Sequence, residues 1–120
     1  MNNPLKMTEK DLQKLCEDYL KLFPLISYEH FHEAPTYGVK GVPDIVGFIS
    51  LPVYRKLKVG FACELKIGNK KPTPLQFAYL EKLKSQEFIV AWFNDFEDFK
   101  QWISGLVEEV VNLRIEIKEN

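Results

Sequence analysis

Cysteine is scarce. The 120 residues contain two, Cys16 and Cys63. Each lies within an apolar pattern, so buried free thiols are the expected state and a disulfide between them is the alternative. Histidine is equally rare: His30 and His32 form a His-x-His pair, but no cysteine or third histidine nearby completes a zinc site. No apolar run approaches the length of a membrane helix. The opening segment MNNPLKMTEK lacks the apolar stretch of a signal peptide. A cytoplasmic protein is therefore expected. There is no internal repeat, low-complexity tract or long linker, and the length suits one domain over 1–120. Nor is there a global excess of positive charge. The net charge is −1, which argues against a protein that simply coats nucleic acid.

The charges present are unevenly spread. Between Tyr54 and Pro72 six basic residues face the single acid Glu64, and between Glu87 and Glu109 six acids face the single base Lys100. One side of the molecule is expected to be basic, although charge runs also occur as plain solvated faces.

Start and stop signals divide the chain. Thr8 caps a first helix through TEKDLQKLCEDYLKLF, whose Leu12, Leu15, Cys16, Tyr19, Leu22 and Phe23 recur at helical spacing. LISYEHFHEA reads as a strand, as does the segment from about Asp44 to Ile49, and VGFACELKI as a third. Thr73, Pro74 and Gln76 open a second helix with a capping-box pattern, and Leu75, Ala78, Tyr79 and Leu83 are expected to face inward. EFIVAWF is a further strand. DFEDFKQWISGLVEEVV is a last amphipathic helix, with Phe96, Phe99, Trp102 or Ile103, Leu106 and Val110 on its apolar side. The tail NLRIEIKEN is expected as an edge strand or loose chain. The order α-β-β-β-α-β-α implies an α/β fold with a mixed sheet flanked by helices.

Two charges interrupt the third strand. Alternation places Val59, Phe61, Cys63, Leu65 and Ile67 on one face, and Gly60, Ala62, Glu64 and Lys66 on the other. Taken alone, the second set reads as the wet face of a half-buried strand. Asp44 changes that reading. If the two strands form an antiparallel hairpin centred near residue 54, Asp44 stands opposite Glu64, with Cβ atoms within about 5 Å. Two carboxylates that close repel unless a cation lies between them, and hard oxygen donors suit Mg2+ or Mn2+. Lys66 would then sit beside the ion, placed to orient water and offset phosphate charge. This is the equipment of phosphodiester hydrolysis.

GVPDIVGFI, FACELKIGNKKPTPLQFAYLEKL and FIVAWF together resemble the VRR-NUC family of the PD-(D/E)XK nuclease superfamily, with matches at Gly41, Pro43, Asp44, Glu64, Lys66 and Gln76. The resemblance implies a restriction-endonuclease-like fold and a metal-dependent DNA endonuclease. Asp44, Glu64 and the Leu65 backbone carbonyl would bind the ion, Lys66 would handle the water, and Gln76 would face the site. Gln76 has a structural alternative as a helix cap. A first-helix glutamate would join, with Glu9 the better fit and Glu17 the second. Lys40, Lys70 and Lys71 would contact DNA phosphates, and Tyr37 would touch the DNA too, with loop filler as the alternative. The resemblance further implies a homodimer acting on branched DNA, in the manner of Holliday-junction resolvases. One departure is Ser85-Gln86-Glu87, where the family usually has a glycine between helix and strand. The alternatives are a non-catalytic DNA-binding module on the same fold and an assembly protein using the acidic last helix.

Overall fold

The computed structural model describes residues 6–30, 41–51 and 57–119. Seven elements follow in the expected order: α1 (Glu9–Leu20), β1 (Ile26–His30), β2 (Ile45–Ser50), β3 (Lys58–Leu65), α2 (Pro74–Ser85), β4 (Ile89–Phe93) and α3 (Phe96–Glu119). The strands form one sheet in the order β1-β2-β3-β4. The first two pairings are antiparallel, and β3 pairs with β4 in parallel, which requires the α2 crossover.

Local chemistry starts each helix. In α1 the Thr8 hydroxyl accepts from the Asp11 N–H at 3.1 Å, and Asp11 Oδ2 accepts from the Thr8 N–H at 3.0 Å. Thr73 and Gln76 form the same reciprocal pair at the start of α2. At α3, Asp95 Oδ2 accepts from the Asp98 N–H at 3.2 Å. Each cap satisfies backbone donors that the first helical turn leaves without partners.

The main core lies on one face of the sheet. Ile45, Ile49, Phe61, Cys63 and Leu65 pack beneath Leu12, Cys16 and Leu20 of α1 and Phe99, Ile103, Leu106 and Val110 of α3. Burying a side chain of this size contributes roughly 1.5–3 kcal/mol. Tyr19 and Ser104 join α1 to α3 through their hydroxyls at 2.6 Å.

Four expectations change. β3 is buried on both faces: Gly60, Ala62 and Glu64 are as enclosed as Phe61 and Cys63. The reason is tertiary, because α2 packs against β3 and β4. In α1, Leu15 is exposed whereas Gln13 and Leu20 are buried, and Leu22, expected on the same apolar face, lies exposed in the turn after the helix ends at Leu20. In α2, Leu75 and Ala78 are exposed and Leu80 carries the burial. Finally, the NLRIEIKEN tail is neither strand nor loose as far as residue 119, since α3 runs unbroken for 24 residues. No Gly or Pro follows Gly105, and extending a formed helix costs little.

Candidate active site

The β2–β3 hairpin builds the site. Its register pairs Ile45 with Cys63 and Val46 with Ala62, so the next position places Asp44 across from Glu64. That is the register expected from a hairpin centred near residue 54. Asp44 lies just before β2, where the chain leaves the ladder, and its carboxylate takes over a backbone bond: the Leu65 N–H donates to Asp44 Oδ2 at 2.8 Å. Pro43 is buried beside it.

Glu64 is 1% exposed. Burial, then hydrogen bonding to Asp44 and the charge of Asp44, together push its carboxyl up to about 9 against a downward pull from Lys66. Glu9 adds a smaller upward push, which puts the first residue of α1 within electrostatic reach. Glu64 Oε2 is buried without a hydrogen-bond partner. A buried carboxylate oxygen in that state is costly unless a proton or cation reaches it. The donor chemistry of Asp44 and Glu64 therefore fits a hard divalent cation. Among the described residues, however, no group of three or more His, Cys, Asp or Glu side chains is arranged to hold a metal ion.

The remaining candidates separate clearly. Glu9 opens α1 half-buried. Glu17 sits two turns further along, and its backbone carbonyl accepts from the Tyr28 hydroxyl at 3.5 Å. Glu9, not Glu17, is among the charges acting on Glu64. Gln76 spends its side-chain oxygen on the Thr73 N–H at 2.8 Å, so its capping role is real. Its helix nevertheless abuts the Gly-x-Pro-Asp segment. A Cβ on Gly41 would come within 2.9 Å of the Leu75 carbonyl oxygen, and Gly41 has φ +84°, so both space and conformation require glycine there. Lys66 is half-buried, and its N–H donates to the Phe93 carbonyl at 2.9 Å. Lys70 and Lys71 are exposed on the following loop, which the Asn94 side chain holds through the Gly68 carbonyl at 3.0 Å. Lys40, Tyr37 and His32 lie outside the described residues, as does the side chain of His30.

Two further groups surround the pair. Cys16 and Cys63 are free and buried. Burial raises the Cys16 thiol to about 12, helped by the charges of Glu17 and Asp44, and burial raises Cys63 well above its usual range. Neither thiol is a nucleophile at neutral pH. Gln13, one turn beyond Glu9, is buried with its Nε2 unpartnered. Its only signal in the sequence is its place, a polar side chain between Leu12 and Cys16 on the apolar face of the helix.

Two solved structures resemble the fold of this chain. One, described as a "VRR_NUC domain protein", has TM-score 0.66 and 24% identity, covering 86% of this chain and 90% of its own. The other, described as a "VRR_NUC domain", has TM-score 0.63 and 21% identity, covering 80% of this chain and 94% of its own. The fold is restriction-endonuclease-like. No protein-family model matches the chain, and no curated protein does either. At these identities the likeness establishes the fold: a mixed sheet flanked by helices in the order α-β-β-β-α-β-α. No helix among the described residues is long and apolar enough to cross a membrane.

Proposed function

We propose that this protein is a divalent-metal-dependent DNA endonuclease, selective for branched DNA and working as a homodimer. The observation that carries the reading is the Asp44–Glu64 pair, with an unpartnered carboxylate oxygen buried in it. Asp44 and Glu64 would hold Mg2+ or Mn2+, with the Leu65 backbone carbonyl as a further oxygen donor. When bound there, such an ion supplies charge neutralisation for the phosphate and activates water.

The chain's own residues supply the rest. The Leu65 N–H fixes one oxygen of Asp44 and so orients the other. Lys66 places an ammonium beside Glu64, where it steadies the attacking water and offsets charge on the phosphate. Glu9 adds a third carboxylate at the mouth of the site. Gln76 presents its amide nitrogen from the capped end of α2. Lys40, Lys70 and Lys71 contact phosphates without reading sequence. Dimerisation would double the basic face and set two sites at a fixed spacing.

The test is incubation of the protein with junction, flap, splayed and duplex DNA, with and without Mn2+ or Mg2+, alongside a mass measurement in solution. Metal-dependent cutting favouring branched substrates is expected. No cleavage of any substrate with either ion would overturn the reading. A second reading, a DNA-binding module without catalysis, is favoured by the lack, among the described residues, of three or more His, Cys, Asp or Glu side chains grouped to hold a metal ion. Salt-sensitive binding without cutting would select it.

A further inference from the structure

Among the described residues, the second face of the sheet is only half covered. α2 packs over β3 and β4. Over β1 and β2 a groove of about 310 Å³ remains, open to solvent and lined by residues 27–29 and 46–48. That volume is at the low end of small-ligand sites, which span about 300–1,000 Å³. Strand alternation places Ser27, Glu29, Val46 and Phe48 on this face, the face that also carries Asp44 and Glu64.

Phe48 is 39% exposed in the middle of β2. A ring there would normally be covered. The Phe88 ring lies tilted against it, with centroids 5.6 Å apart, and Lys58 Nζ lies over the ring, 6.0 Å from its centroid. Phe88 reaches this position because Gly60, the partner of Phe48 in the ladder, has no side chain. A Cβ there would meet the Phe88 ring at 2.7 Å. The result is an aromatic platform, flanked by an ammonium, with a hydroxyl and a carboxylate along one rim.

We propose that this groove seats an unpaired nucleobase on the Phe48 ring, a few nucleotides from the phosphate held at Asp44 and Glu64. The inference rests on the endonuclease reading and names its substrate class: DNA with unstacked bases beside the scissile bond. Phe48 lies four residues along β2 from Asp44, roughly 13 Å, which a strand covers in a few nucleotides at about 3.4 Å rise or more. A base inside a duplex has its ring faces occupied by neighbours, so only an unpaired one can use the platform. Lys58 is placed to meet the backbone phosphate of the seated nucleotide. Glu29 is an acceptor suited to an exocyclic amine such as that of cytosine.

The test uses the metal-free protein, in chelator, with two single strands of equal length: oligodeoxycytidine and a fully abasic oligonucleotide carrying the same phosphates. Stacking of one base predicts tighter binding of the base-bearing strand by roughly 5- to 100-fold. Phe48→Leu should bring that ratio close to one, and Phe48→Tyr, which keeps a ring, should preserve it. Independently of any variant, a 2-aminopurine in an otherwise unpaired stretch should lose fluorescence on binding. Equal affinity of the parent protein for both strands, or a ratio undiminished in Phe48→Leu, would overturn the proposal while leaving the endonuclease reading intact. Binding of neither strand, and of no branched DNA, would overturn both.

Discussion

Asp44 is anchored across the hairpin by Leu65, whose backbone N–H donates to Asp44 Oδ2 at 2.8 Å. The Asp44 carboxylate is also hydrogen-bonded to the Glu64 side chain. Replacing Asp44 by Ala removes both the acceptor for a part-buried N–H and one of the two oxygen donors. A loss of about 1–3 kcal/mol in stability is expected from the N–H alone, together with loss of Mn2+-induced stabilisation. Urea unfolding with and without Mn2+ separates the two effects. Asp44→Asn keeps an acceptor for Leu65 and should lose chiefly the second.

The pH dependence follows from Glu64. Its carboxyl is raised to about 9 in the folded protein, largely by burial, and returns to an ordinary value near 4.3 on unfolding. The unfolded chain therefore binds fewer protons between these values. The stability this group contributes to the metal-free protein is fully present below the unfolded value and is lost as pH rises toward 9, at up to roughly 1.4 kcal/mol per unit. Melting temperature in chelator should fall across that window, and Glu64→Gln should flatten the profile. A cation competes with the proton, so stabilisation by Mn2+ should grow between pH 6 and 8.

Glu87 lies in the link between α2 and β4 and adopts φ +71°. The Phe88 N–H donates to the Leu83 carbonyl and the Glu87 N–H to the Lys84 carbonyl, the helix-ending pattern that glycine usually completes. Glu87→Gly should stabilise the protein by about 1 kcal/mol, seen as a higher denaturant midpoint with no change in slope.

Gly41 is the opposite case. With φ +84° and the Leu75 carbonyl 2.9 Å from any added Cβ, Gly41→Ala should destabilise by about 1–3 kcal/mol. Because the same segment carries Pro43 and Asp44 onto the end of α2, cutting should fall more than stability does. Rates measured well below the melting temperature distinguish the two.

Gln13 allows a prediction of the opposite sign. Its buried Nε2 has no partner, so Gln13→Met, of similar shape, should raise stability by about 1–2 kcal/mol. Thermal melts of the two proteins in chelator provide the check.

Much of this was legible in the sequence because the informative features are local. The capping residues Thr8 and Thr73 mark both helix starts, and the hairpin centre fixes Asp44 opposite Glu64 through the two-residue period of strands. What was not legible depends on packing between distant segments. Glu64 looks solvent-facing until α2 is laid over β3, and nothing near residue 64 announces that cover. The inner face of α2 was misjudged for the same reason: Leu80 is buried by where the helix lands, whereas Leu75 and Ala78 share an equally plausible stripe. In the last helix, the alternation of Leu113, Ile115 and Ile117 mimics a strand, but no breaker separates it from the turns before it. The Phe48 platform was hidden because it depends on what Gly60 lacks.

The central claim is that Asp44 and Glu64 hold a divalent ion, and calorimetric titration of Mn2+ into the metal-free protein at pH 8 tests it most directly. The account predicts saturable binding by the parent protein and by Lys66→Met, which should bind the ion yet fail to cut DNA, and no binding by Asp44→Asn or Glu64→Gln. Absence of Mn2+ binding by the parent, or undiminished binding by Asp44→Asn, would contradict it.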